Sequence, residues 1–363
     1  MSKQRMPAQI RRLYGFTGLT SFQLAGASWV ALLAARGFSL MQIGLAEGAF
    51  HLTSLVCELP SGIAADVFGR RRKLAIGQIC GILSALLMLA FDSMAGVLAA
   101  MVFSAMSYNF ASGTREALAY ESLNDAGRAD EYAVYSGTDL MIYRVSGASA
   151  MLCAGLALLI GYRRAYLLDA ALGAAALVLA LRLRETRPAS SGEGVRARLT
   201  ACVRESLRFL LGDARVVRLI LLNAAVGALA TLLRFFLQAR LTGAGMPDGL
   251  LGPALFVIGM GGAVGARFAA GLRSWRYRRV WLLTAAGTLL CTALSLLHSW
   301  YLMLGCGFCA ALLDDLLEVC TDARLNEAVP SAQRATLISV ASLSFSLVMI
   351  GLSPALGWLF EAM

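Results

Sequence analysis

Residues 62–73 read GIAADVFGRRRK, and they place one aspartate and four consecutive cations around two glycines. The chain on either side of this stretch is apolar for about 20 residues, the length that a membrane-spanning helix needs. A run of arginine and lysine between two such segments is typical of a short loop on the cytoplasmic face of a membrane. The acid in the stretch, Asp66, needs a partner there, because an unpaired charge at the end of a span costs free energy.

The composition of the whole chain agrees with this interpretation. Of its 363 residues, 58% are hydrophobic and 15% are charged, whereas a soluble domain carries about 25% charged residues. The net charge of +10 is explained more simply by basic cytoplasmic loops than by nucleic-acid binding. We therefore predict a polytopic membrane protein whose partners are the lipid bilayer and a small-molecule substrate, with no nucleic acid.

Eleven apolar segments have the length of a membrane span. They are residues 13–35, 39–65, 73–92, 95–121, 133–161, 164–183, 216–239, 249–272, 279–297, 300–323 and 335–360. The sequence thus predicts an all-α membrane protein with a six-helix bundle at 1–184, a cytoplasmic linker at 185–215 and a five-helix bundle at 216–363. Two equal halves would need a twelfth helix, so we expect either a truncated chain or a natural eleven-helix variant.

The distribution of cations predicts the orientation. If the N-terminus is cytoplasmic, most of the 32 lysine and arginine residues fall on the inner side, including residues 70–73 and the basic linker. This asymmetry follows the positive-inside rule. We predict a multi-pass protein of the bacterial cytoplasmic membrane.

The spacing of the opening stretch is similar to a known signature. Gly62, Asp66, Gly69, Arg70 and Arg71 resemble, in type, spacing and position, the helix 2–3 motif of the major facilitator superfamily. Two further segments, SGTREALAYESL from residue 112 and RATLISVASL from residue 334, resemble a bacterial exporter-like branch of that superfamily.

The resemblance implies a transporter of two helical bundles that rock about a central site. It also implies that the five motif residues form a conformational latch, with Asp66 contacting the region near Arg334. The alternative is that they only set topology and turn geometry.

Ionisable residues inside predicted spans are the candidates for substrate binding and proton coupling. Glu47 and His51 are one turn apart in the second span, which suits a proton relay or a polar stripe lining a water-filled vestibule. Arg144 in the fifth span requires an acid partner, for which Glu47 and Glu116 are candidates, or an anionic substrate.

Two further positions complete the candidate set. Asp314 and Asp315, in the tenth span, suit either a coupling site or a solvated cytoplasmic vestibule, and they point about 100° apart on a helix. Asn109 lies near mid-depth in the fourth span. We expect Arg234 and Arg240 to reach toward the lipid headgroups.

The functional prediction rests on the resemblance. It implies a secondary active transporter that moves a small organic solute by alternating access, with proton-coupled efflux favoured. The alternatives are uptake of a sugar or metabolite and a non-transporting membrane sensor. The chain has only two histidines, and no protease, hydrolase or nucleotide-binding motif occurs. We therefore predict no enzymatic activity, no cofactor, no metal site and a monomer.

Overall fold

The computed structural model describes residues 6–186, 213–272, 274–329 and 334–362, together with positions 200, 204 and 209. These residues form helices and short connections, and no strand occurs among them. The predicted all-α fold is confirmed.

The helices follow one another with short connections. In the first part of the chain they are α1 (Met6–Ser21), α2 (Leu24–Ala27), α3 (Trp29–Ala35), α4 (Leu40–Phe68), α5 (Arg70–Ala90), α6 (Met94–Ala111), α7 (Thr114–Asp125), α8 (Tyr132–Leu152), α9 (Ala154–Ile160) and α10 (Tyr162–Leu181). In the second part they are α11 (Ala214–Gly243), α12 (Leu251–Ala269), α13 (Tyr277–Leu294), α14 (Trp300–Ala328) and α15 (Arg334–Ala362).

Among the described residues, seven helices are long and apolar enough to cross a membrane. The number becomes eight if α8 and α9, which meet at a bend of 47°, are counted as one span. The first predicted span is divided into α1, α2 and α3, and α14 carries several acids along its second half. The count of eleven crossings therefore stays a prediction.

The chain divides into two compact units. The first contains Met1–Ser28 and Val56–Cys202, and the second contains Trp29–Leu55 and Val203–Met363. These units are not the two halves predicted from the sequence, because Trp29–Leu55 groups with the later helices. The predicted boundaries remain a prediction, and most of the linker at 185–215 lies outside the described residues.

In the second unit, glycines explain why the first half of α4 packs on α15. A side chain at Gly44 would overlap the backbone of Ser353, and one at Gly357 would overlap the backbone of Leu40. The Ser353 hydroxyl donates a 2.7 Å hydrogen bond to the carbonyl oxygen of Gly44. Close approach of two helices through small residues is a common packing solution in membranes.

In the first unit, α1, α5, α7, α8 and α10 share one apolar core. Its fully buried members include Leu13, Leu74 and Leu118. Gly173 of α10 fits beside Gln78 and Ile82 of α5, where a larger residue would press on both side chains. This core joins five helices of the first unit.

Candidate functional site

A buried histidine network lies in the second unit. His51 Nε2 is 3.2 Å from Glu47 Oε1, one helical turn earlier on α4. His51 Nδ1 is 3.2 Å from the hydroxyl oxygen of Ser346 on α15. Both Glu47 and His51 are more than 90% buried. Both ring nitrogens of His51 thus have polar partners.

Phe345 lies near this network and near one member of a second charged pair. Its ring centroid is 5.6 Å from that of His51. The space beside Gly227 is bounded by Phe345 and by Asp314, both within 4 Å of the position that a side chain would occupy. A larger residue at Gly227 would therefore disturb both groups.

The second charged pair joins α11 to α14. Arg234 Nη2 lies 3.1 Å from Asp314 Oδ2, and the same nitrogen donates a 3.0 Å hydrogen bond to the Thr231 hydroxyl. The expectation that Arg234 reaches the headgroups is wrong, because Asp314 offers a partly buried partner. Asp315 points elsewhere, toward Gly262 of α12, where its carboxylate fills the space of a missing side chain.

Arg240 is also engaged within the second unit. Its guanidinium donates to the carbonyl oxygen of Phe360 at 3.0 Å and to those of Ser295 and Leu296 at 3.2 and 3.1 Å. These carbonyls lie at the C-terminal ends of α15 and α13, where a cation is favourable. The expectation that Arg240 reaches toward the lipid headgroups stays a prediction, and these carbonyls are its partners within the protein. A cavity of about 350 Å³ adjoins Arg240.

The connection between α4 and α5 is tied to the end of α10. Gly69 has a φ of +83°, a conformation that favours glycine. The backbone N–H groups of Arg70 and Arg71 each donate a 3.0 Å hydrogen bond to the Glu185 carboxylate. Arg70 also pairs with Glu121 of α7 at 2.8 Å. The carboxylate of Glu185 therefore occupies the N-terminus of α5, where negative charge is favourable.

The remaining members of the predicted latch cannot be placed in the same way. The side chains of Asp66 and Arg334 lie outside the described residues, and Gly62 has no side chain; the backbone is helical at all three positions. The latch thus stays a prediction for Asp66, whereas Gly69, Arg70 and Arg71 have defined positions.

A second charge cluster in the first unit centres on Arg115. Its guanidinium pairs with Glu116 at 2.8 Å and with Asp139 of α8 at 3.1 Å. The other oxygen of Asp139 accepts a 2.6 Å hydrogen bond from the Thr17 hydroxyl. Glu116 is therefore the partner of Arg115 rather than of Arg144.

Arg144 lies on an exposed part of α8, with its guanidinium 5.9 Å from the ring centre of Tyr143. Within the described part of the first unit, no carboxylate forms an ion pair with it. Asn109, in contrast, is buried and donates a 2.9 Å hydrogen bond to the carbonyl oxygen of Ala105. The amide of Asn109 thus bonds back to the preceding turn of its own helix, α6.

Asp169 of α10 binds the backbone at the break between α1 and α2. The backbone N–H groups of Leu24, Ala25 and Gly26 donate to its carboxylate at 2.7, 3.0 and 3.0 Å. In a continuous helix, these three groups would bond to carbonyl oxygens four residues earlier. The carboxylate replaces those acceptors, and the chain is non-helical at Phe22 and Gln23.

Sequence reasoning missed both Asp139 and Asp169. Each is an acid inside a predicted span, so the rule that selected Glu47 and Asp314 would also have selected them. Their partners could not have been found in this way, because Thr17 and Leu24 are more than 100 residues distant from them along the chain.

Comparison with known proteins places this arrangement in context. The sequence profile described as Major Facilitator Superfamily matches residues 13–354. The uncharacterized MFS-type transporter YxaM of Bacillus subtilis (strain 168) is 30% identical over 105 residues. That match covers 28% of this chain and only 26% of the length of the relative.

Solved structures share the fold at low sequence identity. A mutant of the nucleoside transporter NupG has a TM-score of 0.78 and 12% identity, with 98% of this chain and 96% of that chain covered. A D-xylose-proton symporter has a TM-score of 0.64 and 13% identity, with 98% and 90% covered. Likeness at these identities shows the architecture alone.

Proposed function

Because this chain belongs to the Major Facilitator Superfamily, we propose that it is a secondary active transporter that couples the movement of a small organic solute to protons. Its family and fold are those of membrane transporters and not of enzymes. We place it in the bacterial cytoplasmic membrane with its N-terminus inside, since that orientation puts the basic residues on the cytoplasmic face.

The hydrogen-bonded Glu47–His51–Ser346 network carries the proposal of proton coupling. A histidine is the side chain whose unperturbed charge changes nearest to neutral pH. Here the imidazole is buried between a carboxylate and a hydroxyl group, with both ring nitrogens engaged. Protonation of His51 would strengthen its pairing with Glu47 and turn Nδ1 into an obligatory donor toward Ser346. Each proton bound or released thus changes the contact between α4 and α15.

We propose that the motif of residues 62–71 controls the cytoplasmic side of the same cycle. Arg70 and Arg71 begin α5 at a junction that Glu185 and Glu121 hold in place. Asp66 would act as the latch that pairs in one conformation and is released in another. An Asp66→Asn variant tests this: we expect a reduced transport rate with solute binding unchanged.

The favoured direction of transport is efflux, on the resemblance to an exporter-like branch. Uptake is the second candidate, because nucleoside and sugar transporters are among the proteins that share the fold. The two directions are separated by reversing an imposed pH gradient across vesicles of known orientation.

The decisive experiment uses the purified full chain in proteoliposomes with an imposed pH gradient. The solute panel contains uridine, D-xylose, tetraphenylphosphonium and benzoate. We expect gradient-driven movement of one of them, which Glu47→Gln and His51→Asn abolish while gradient-independent counterflow persists. His298→Gln is the matched control, since this histidine is exposed and outside the network. If a panel member is transported at a rate that changes neither with the pH gradient nor in the two variants, proton coupling through this network is refuted.

A further inference from the structure

Helix α8 of the first unit has three distinct faces. One is buried in the core and includes Tyr135 and Asp139. A second is exposed and apolar, with Val134, Met141 and Val145 lying within about 40° of one another at 100° per residue. Such a stripe is typical of a surface that faces lipid.

The third face of α8 is exposed but not uniformly apolar. It includes Ser136, Tyr143 and the half-buried Gly147, and the exposed Arg144 lies between this face and the apolar stripe. An arginine in the middle of a span does not face lipid without a large cost, because its guanidinium remains charged in proteins. We therefore assign this third face to a water-filled path.

Among the described residues of the first unit, no carboxylate forms an ion pair with Arg144. The sequence left two possibilities, an acid partner or an anionic substrate. Of the two acids considered as partners, Glu116 pairs with Arg115, and Glu47 pairs with His51. Asp139 lies on the buried face of α8 and also pairs with Arg115. The Arg144 guanidinium instead lies 5.9 Å from the centre of the Tyr143 ring.

One exposed phenol ring lies beside this guanidinium. Tyr143 is 48% exposed, and the centre of its ring is 5.9 Å from the guanidinium carbon of Arg144. A large exposed aromatic side chain next to an arginine offers both an apolar surface and hydrogen-bonding groups to a ligand.

From this juxtaposition we propose that Arg144 and Tyr143 bind the transported solute, which is a small aromatic carboxylate. The carboxylate accepts hydrogen bonds from the planar guanidinium, and the ring of the solute packs against Tyr143. This inference rests on the proposed transport function and names its substrate class.

The test measures binding to the purified full chain in lipid nanodiscs at constant pH. The probes are benzoate and indole-3-acetate, each paired with its neutral amide. We expect the acids to raise the unfolding temperature and the amides to have little effect. Arg144→Gln should weaken the binding of the acids about tenfold or more. Arg144→Lys should retain part of the affinity, because lysine keeps the positive charge but lacks the planar pair of N–H donors that matches a carboxylate.

Arg163→Gln is the matched control, since Arg163 is an exposed arginine on α10 that is paired with Asp92. This variant should bind benzoate as the parent does. The proposal is overturned if the parent binds neither acid at millimolar concentration, if the amides bind equally well, or if Arg144→Gln leaves binding unchanged.

The measurement also separates this inference from proton coupling. Binding is read without a pH gradient, so the substrate assignment can fail while gradient-driven transport of another panel solute succeeds. Conversely, intact benzoate binding together with transport that ignores the gradient would refute coupling and support the assignment.

Discussion

At the scale of single residues, Asp169 has the clearest structural effect. Its carboxylate accepts hydrogen bonds from three backbone N–H groups. These bonds determine where the first predicted span is interrupted, between α1 and α2. A carboxylate has two oxygens with about four acceptor positions, so it satisfies three donors, whereas an amide offers a single acceptor oxygen. The interruption is therefore caused by the Asp169 side chain and not by the helix propensity of residues 24–27, LAGA, to which it bonds.

We expect Asp169→Asn to destabilise the protein by about 1–3 kcal/mol, because at least one buried N–H loses its acceptor. The measurement is the unfolding free energy in detergent micelles. Asp92→Asn serves as control, because Asp92 forms exposed contacts that contribute about 1 kcal/mol or less. Equal stability of the Asp169→Asn variant and its parent would show that these hydrogen bonds are replaced by others.

At the scale of helices, the contact of α4 with α15 depends on the absence of side chains. Gly44 and Gly357 bring backbone against backbone, and His51 and Ser346 bond across the same pair of helices. Packing and the polar contact therefore act together: a wider spacing of the helices would lengthen the 3.2 Å separation of His51 and Ser346.

We expect Gly44→Ala to cost about 1–3 kcal/mol, since the added methyl group would overlap the Ser353 carbonyl and force the helices apart. Gly351→Ala on α15 is the control, because nothing lies within 4 Å of the added methyl group. That change should be neutral or slightly stabilising through helix propensity. Thermal unfolding of both variants checks the difference, and similar losses in the two would contradict the close-packing explanation.

At the scale of the whole molecule, the orientation in the membrane is set by the arginines. Arg72 is exposed at the predicted cytoplasmic face, and Asp248 is exposed on a connection predicted to be outside. Charge asymmetry of this size normally determines the topology of a multi-pass protein.

We expect a membrane-impermeant maleimide to label Asp248→Cys in intact cells, and Arg72→Cys only after permeabilisation. The unmodified chain, with its native cysteines, provides the background signal. Labelling of Arg72→Cys from outside would invert the proposed topology and place the motif of residues 62–71 on the wrong face for a cytoplasmic latch.

The superfamily and the all-α membrane fold were predictable because their signals are local. Hydropathy reports whether about 20 consecutive residues suit a bilayer, and the glycine and arginine positions around Asp66 form one short motif. The confirmed predictions are those that need no knowledge of which helices touch. The prediction that Arg234 reaches the lipid headgroups was wrong because its partner, Asp314, lies 80 residues away in the chain.

By itself, the sequence determined that this protein is helical, lies in a membrane and belongs to a transporter superfamily, because burial of apolar surface and satisfaction of backbone hydrogen bonds leave few other structures. Only the tertiary structure decided how the charges inside the spans are used. Asp314 neutralises Arg234, Glu47 bonds with His51, and Asp169 caps a broken helix, whereas Arg144 has no acid partner among the described residues of its unit. A charged group near the membrane centre pairs with an opposite charge or a polar group that helix packing places within about 4 Å. Packing is not a local property of the chain, so these partners could not be read from the sequence.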